Sequence, residues 1–264
     1  MSLLLRHRAF GGSVYTPPLS DDFITEWDMP TGNFTLPLSS QFNYNFTVDW
    51  GDGSAIQTVT VYNDANATHN YAVAGTYQIK INGLCQLFTI NDSLIKLFLK
   101  KVINWGNPGF TSYINMFRGC SNLTEIPPHP LPSNGSVDRI FFGCSNLISV
   151  PKNLFLNLTV SSFYASFYNC QALKIIPVDF FKNNILCPSF EATFYNCTGL
   201  ETVDINIFEY NQNVTKFTST FYNCSKISTN APDLWLRSPA PNGQLCFYNN
   251  INRSNYSSIP AAWK

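Results

Sequence analysis

Charged residues are scarce in this chain of 264 residues, and their charges cancel. Lys and Arg together number 16, Asp and Glu also number 16, and charged residues make up 12% of the sequence, against about 25% in an average soluble protein. A protein that attracts nucleic acid or an anionic membrane over a distance needs a surplus of positive charge. The balance therefore predicts no nucleic-acid partner.

Long apolar runs and catalytic motifs are also missing. No stretch of about 18 apolar residues occurs, which predicts no membrane span, and the leucine run after Met1 is shorter than a secretory signal requires. The three histidines (His7, His69 and His129) lie outside any Walker, Gly-x-Ser-x-Gly or His-Glu-x-x-His motif. We therefore expect no enzyme, no cofactor and no metal. A polysaccharide-active enzyme stays an alternative, because catalytic residues need not be close in sequence.

An internal repeat dominates the second half of the chain. The phrase Phe163-Tyr-Ala-Ser-Phe167-Tyr-Asn-Cys170 has close counterparts in four other places, and self-similarity at about 20–50 residues is typical of repeat architectures. Apolar residues at i, i+4 and i+7 predict one face of a short helix. A short extended segment follows each copy, and a proline ends it in every copy but the fourth, where Asp204 stands instead. The repeated core residues are Cys120, Cys144, Cys170, Cys197 and Cys224, with Phe167, Phe194 and Phe221 three positions before the last three of them.

These five cysteines occupy the same place in successive repeats, so they should form a column along the stack. Unpaired Cys behaves as a small hydrophobe and is often buried. Buried free thiols are therefore favoured over disulfides, and ligands in a line do not make the tetrahedral site that zinc needs. Cys85, Cys187 and Cys246 lie outside the column, and a bridge among these three stays open.

The residues from Phe34 to Ile90 favour β-structure instead. Apolar and polar residues alternate from Phe42 to Val48, as in a half-buried strand. A turn around Trp50 follows, in which we expect Asp49 and Asp52 to accept Asx hydrogen bonds rather than to bind calcium. Trp50 is predicted to be structural, and His69 to be a packed strand residue.

Both halves resemble known families. Val48-Asp-Trp-Gly-Asp-Gly53, followed by His69-x-Tyr71 and Gly75-Thr-Tyr77, resembles a PKD-type immunoglobulin-like β-sandwich. The pattern Phe-x-x-Cys-x-x-Leu-x-x-Ile-x-x-Pro resembles the BspA-type leucine-rich repeat. Together they imply a mixed fold, in which a small β-sandwich is followed by an α/β leucine-rich-repeat solenoid. The expected divisions are an extended arm over 1–30, a sandwich over 31–90 and a solenoid over 91–264. A polar last repeat, with Asn250 and Arg253 in place of Cys and Leu, should cap the solenoid.

These resemblances imply adhesion or display at a surface, without catalysis. The opening Leu3-Leu-Leu-Arg-x-Arg8 is also similar to leaders on structural proteins of phages that infect Bacteroidetes. We therefore expect a virion structural protein, such as a capsid decoration protein or head fiber, at the virion surface. A cell-surface adhesin of a bacterium is the alternative.

The expected partner-binding residues lie at two places. The arm should anchor the chain to other virion proteins or to copies of itself in an oligomer, and the outward face of the repeats should meet a host surface protein or glycan. The arm candidates are Leu3, Leu4, Leu5, Arg6 and Arg8, and the repeat-face candidates are Tyr164, Tyr168, Tyr195 and Tyr222.

Overall fold

Seven β-strands and five short 3-10 helices make up the regular structure of residues 20–91 and 94–264, which this computed structural model describes. The strands are β1 (Phe23–Met29), β2 (Gly32–Thr35), β3 (Tyr44–Asp49), β4 (Gln57–Val59), β5 (Thr68–Tyr71), β6 (Gly75–Cys85) and β7 (Leu99–Asn104). The 3-10 helices span Ala65–Ala67, Leu94–Leu97, Leu234–Leu236, Tyr256–Ser258 and Ala261–Trp263. Among these residues, no helix has the length and apolar character needed to cross a bilayer.

Two antiparallel sheets form the N-terminal part. Five strands pair in the order β4-β3-β6-β1-β7, and β2 pairs with β5 in a second sheet. The expected alternation is confirmed in β3, where Tyr44, Phe46 and Val48 are buried. The rings of Trp27 in β1 and Phe34 in β2 lie 5.0 Å apart, so the two sheets share one apolar core.

The larger sheet extends beyond residues 31–90 at both ends. Strand β1 lies within the range predicted as an arm, and its inward residues include Thr25, which hides the apolar alternation in the sequence. The hydroxyl of Thr25 accepts a 2.7 Å hydrogen bond from Trp27 Nε1, which satisfies this polar group inside the core. Residues 20–30 therefore belong to the sheet. The arm candidates Leu3 to Arg8 lie outside the described residues.

Strand β7 joins the sheet to the repeats. One of its edges pairs antiparallel with β1. At its other edge, Thr124 N donates to Lys100 O at 3.0 Å and Val102 N donates to Glu125 O at 3.0 Å, in a parallel arrangement. The same strand is thus the edge of the sheet and the first rung of the repeat region, so the two parts share β7.

The predicted α/β leucine-rich-repeat solenoid is wrong. The described residues contain no α-helix, and the antiparallel sheets lie in the N-terminal part, while the repeats consist of turns and isolated bridges. In the segment 163–170, which was expected to be helical, Ala165 and Asn169 have φ values of 51° and 59°. A residue in the left-handed region cannot continue a right-handed α-helix, so the segment folds as consecutive turns.

The hydrogen bonds of this segment explain why turns replace the helix. Alternate N–H groups donate to the following repeat, whereas in a helix every N–H would donate to the carbonyl four residues earlier. Phe167 N, for example, donates to Thr193 O at 2.9 Å, and Asn169 N donates to Tyr195 O at 2.8 Å. The intervening N–H groups close local turns, as Tyr168 N does with Ala165 O at 3.2 Å. Contacts between repeats therefore satisfy the backbone that a helix would satisfy internally.

Six successive copies share the left-handed position directly before the Cys, or before Asn250 in the last copy. Glycine and asparagine are the residues that tolerate positive φ best, and they alone fill this position. Its occupants are Gly119, Gly143, Asn169, Asn196, Asn223 and Asn249, with φ between 56° and 78°.

The phenylalanines and cysteines of the repeat form the core, as predicted. The rings of Phe167 and Phe194 stack at 5.4 Å, and those of Phe194 and Phe221 stack at 5.5 Å. Each Cys after the first donates its S–H to the carbonyl of the Phe in the preceding repeat, for example Cys197 Sγ to Phe167 O at 3.0 Å. All eight cysteines are free and buried, including Cys85, Cys187 and Cys246.

The two polar substitutions of the last repeat do not face solvent. Asn250 is fully buried and Arg253 is 3% exposed, so their polar groups turn inward. Asn250 Nδ2 donates to Phe221 O at 2.7 Å, which is the bond that a cysteine thiol makes in earlier copies. The Arg253 guanidinium donates to the carbonyls of Thr229 and Asn230. These residues continue the interior hydrogen bonding rather than presenting a polar surface.

Candidate functional site

A ladder of aromatic rings follows the outside of the repeats, two positions before the Cys of the second to fifth copies and two before Asn250 of the last copy. Tyr168 and Tyr195 stack at 4.4 Å with an interplanar angle of 2°, and Tyr195 and Tyr222 stack at 4.3 Å with the same angle. Phe142 extends the ladder at one end and Tyr248 at the other, each at 4.6 Å. These spacings are shorter than those of the inner phenylalanine stack.

A second ladder, made of asparagine side chains, lies beside the tyrosines. Asn196 Nδ2 donates to Asn169 Oδ1 at 2.7 Å, Asn223 Nδ2 donates to Asn196 Oδ1 at 2.6 Å, and Asn249 Nδ2 donates to Asn223 Oδ1 at 2.6 Å. The left-handed backbone holds every one of these residues in the same orientation. We call the Tyr-Asn pairs at 168–169, 195–196, 222–223 and 248–249 the Tyr/Asn face.

The four tyrosines predicted for the repeat face divide between two environments. Tyr168, Tyr195 and Tyr222 belong to the Tyr/Asn face, but they are half-buried and both faces of each ring are covered by neighbouring rings. Tyr164 lies elsewhere in its repeat, with the Arg139 guanidinium 4.5 Å from its ring centre. The ladder tyrosines therefore expose the edges of their rings rather than the flat faces.

The asparagines and Tyr248 are not among the residues predicted for the repeat face. The signal was present, because the dipeptide Tyr-Asn recurs at the same position in four successive repeats. Tyr248 and Asn249 belong to the last copy, in which Asn250 replaces the Cys. Asn is frequent throughout the chain, so its recurrence was difficult to distinguish from composition.

The Tyr/Asn face carries almost no charge. In the segments that hold its rungs (163–173, 190–200, 217–227 and 243–253), Glu191 and Lys226 are the only charged residues apart from the buried Arg253. Desolvation and the neighbouring phenol groups raise the pKa of Tyr195 and of Tyr222. The hydroxyls are therefore neutral near pH 7 and able both to donate and to accept hydrogen bonds.

The turn after β3 has the structural role that the sequence indicates. Trp50 is fully buried, and its ring stacks on His69 at 5.0 Å. Asp49 Oδ1 accepts from Gly51 N at 2.9 Å and Asp52 Oδ1 accepts from Ser54 N at 3.0 Å, which confirms the Asx hydrogen bonds. His69 Nε2 lies 2.7 Å from Asp52 Oδ2, so His69 is confirmed as a packed, hydrogen-bonded residue.

The eight cysteine thiols and His129 lie inside the core. Burial raises the pKa of the Cys144, Cys170 and Cys197 thiols, which suppresses the reactive thiolate. His129 is 5% exposed, and burial lowers its pKa. Within residues 20–91 and 94–264, no group of three or more His, Cys, Asp or Glu side chains is arranged to hold a metal ion.

Comparisons with known proteins leave both family resemblances as expectations from sequence. No protein-family model, no curated protein and no solved structure matches this chain.

Proposed function

We propose that this chain is a non-enzymatic recognition protein displayed on a virion surface. In this proposal the N-terminal arm attaches to other virion proteins or to copies of the chain, and the repeats face outward. The observation that carries the proposal is the Tyr/Asn face, a regular, polar and almost uncharged surface on a closely stacked core.

The first two repeats support a functional origin for this face. Gly119 and Gly143 occupy the position of the asparagines there, and Phe142 occupies the position of a tyrosine. The repeats thus stack without the amides and without the phenol hydroxyls. Tyrosine and asparagine combine rigid contact area with adaptable hydrogen bonding, which is also what antibody combining sites use.

The burial of reactive groups favours binding over catalysis. An activated nucleophile needs an accessible side chain next to a base, whereas the thiols here are buried and donate to carbonyls. Of the two described histidines, one is paired with Asp52 and the other is buried. Turnover of a polysaccharide by the pure protein would contradict this part of the proposal.

Mass spectrometry of purified virions tests the location, with quantification relative to the major capsid protein. We expect the chain at a fixed stoichiometry, and we expect that a variant without residues 1–19 is lost from particles. Absence from virions together with labelling on bacterial cells would replace the proposal with the bacterial adhesin. Normal incorporation of the truncated variant would show that the arm is not the anchor.

A further inference from the structure

The hydrogen-bonding groups of the Tyr/Asn face are only partly used within the protein. An Asn amide has two N–H donors and an oxygen with two lone pairs. In Asn196, one N–H donates to Asn169 and the oxygen accepts one bond from Asn223. One N–H and one lone pair therefore remain for a ligand. Tyr195 adds a neutral hydroxyl, which also interacts with the hydroxyls of Tyr168 and Tyr222. Asn223 repeats this set, and Asn249 at the end of the stack donates to Asn223 but accepts from no further asparagine of the ladder.

The ring geometry excludes one common mode of sugar recognition at the inner rungs. An aromatic platform binds a sugar through its flat face, but Tyr168, Tyr195 and Tyr222 each have a ring stacked on both faces. A ligand can reach only the ring edges, the hydroxyls and the amides. Contact at the inner rungs must therefore occur through hydrogen bonds.

The low charge of the Tyr/Asn face favours uncharged polar ligands over charged ones. A phosphorylated, sulfated or carboxylated polymer requires cationic partners to offset desolvation of its charges. The rung segments offer one exposed cation, Lys226, and one anion, Glu191. An uncharged polyhydroxyl chain requires neither, and each of its hydroxyls can both donate and accept.

We propose that the Tyr/Asn face is a binding site for a neutral polysaccharide, which contacts the tyrosine hydroxyls and asparagine amides of successive rungs. This inference rests on the recognition role proposed above and specifies its ligand class. Because the rungs are held by stacking and by hydrogen bonds, the site is ordered before the ligand arrives, which lowers the entropic cost of binding.

Native electrophoresis of the full chain in gels that contain a soluble polysaccharide tests the proposal. The neutral probes are dextran, mannan and laminarin, and dextran sulfate is the charged counterpart with the same backbone as dextran. We expect at least one neutral polymer to retard the protein and dextran sulfate not to retard it. Retardation by dextran sulfate alone, or by none of the four polymers, would overturn the proposal.

Two triple variants test the role of the rungs themselves. Tyr168→Phe/Tyr195→Phe/Tyr222→Phe removes the hydroxyls, and Asn169→Gly/Asn196→Gly/Asn223→Gly removes the amides while keeping the left-handed backbone. Both reproduce what Phe142 and Gly143 already show in the second repeat. Each variant should bind at least about tenfold more weakly, since it loses three contacts.

Tyr210→Phe is the matched control, because Tyr210 is 41% exposed and lies in a different turn of its repeat. It should bind like the unaltered chain. If the tyrosine triple variant also binds unchanged while its thermal unfolding is normal, the hydroxyls do not contact the ligand and the inference fails. That result leaves the virion experiment unaffected, so the two proposals fail separately.

Discussion

Which of two variants at residue 196 is the more stable, glycine or alanine, tests whether the repeats are built from turns or from helices. The pair is Asn196→Gly and Asn196→Ala, both of which lose the same two ladder hydrogen bonds with Asn169 and Asn223. The two variants differ in how readily residue 196 adopts its φ of 57°. Glycine adopts this conformation freely, whereas alanine pays about 1–2 kcal/mol for it.

The expected difference follows from two opposing terms. Glycine loses about 0.5–1 kcal/mol more conformational entropy on folding than alanine does. After subtraction, Asn196→Gly should be more stable than Asn196→Ala by up to about 1.5 kcal/mol. In a helix the strain term disappears, and alanine would be the more stable variant by about 0.5–1 kcal/mol. The two architectures thus predict opposite signs.

Urea unfolding followed by far-UV circular dichroism measures the difference as a shift in the midpoint at constant slope. Ala172→Gly is the control, because Ala172 is absent from the residues with positive φ. This control should be less stable than the unaltered chain by about 0.5–1 kcal/mol. An advantage for alanine of about 0.5 kcal/mol or more would refute the assignment of turns to the repeats.

Three further predictions follow from the interior and from the turn after β3. The eight buried thiols should resist a thiol reagent at pH 8 in the native protein and should all react in guanidinium, and labelling of Cys197 without denaturant would contradict the buried column. Partial burial opposes ionisation of Asp52, but hydrogen bonds from Ser54 and His69 outweigh it and lower the Asp52 pKa from 3.8 to about 2. The folded state thus favours the carboxylate, so this stabilisation is present above pH 3.8 and is lost as the pH falls toward 2; Asp52→Asn should remove that part of the pH dependence of unfolding. Arg253→Leu should destabilise the protein by about 2 kcal/mol, because the carbonyls of Thr229 and Asn230 and the Asn250 amide oxygen lose a buried donor; an unchanged urea midpoint would show that these groups find other partners.

In the N-terminal sheets, patterns among neighbouring residues predict one strand and one turn but not strand β1. The alternation of Tyr44, Phe46 and Val48 and the Asp-rich turn beside Trp50 depend on neighbouring residues, and the structure confirms both. The sequence does not predict strand β1, because an inward position holds the polar residue Thr25. The hydroxyl of Thr25 accepts a hydrogen bond from the indole of Trp27. A polar residue inside a strand pattern needs its partner to be known before the strand can be recognised.

The repeat by itself determined the core of this protein. Phe167, Phe194, Phe221 and the cysteine column are buried because the same apolar residue recurs at the same place in every copy, and stacking then buries them together.

The tertiary structure decided the backbone conformation. A helix and a series of turns can both place residues i, i+4 and i+7 on one side, and the choice depends on whether each N–H bonds four residues back or to the next repeat. Those partners lie about 26 residues away, as Phe167 N and Thr193 O do, so no local period distinguishes the two. The Tyr/Asn face also depends on this backbone conformation, because its asparagines share the left-handed position and donate to one another there.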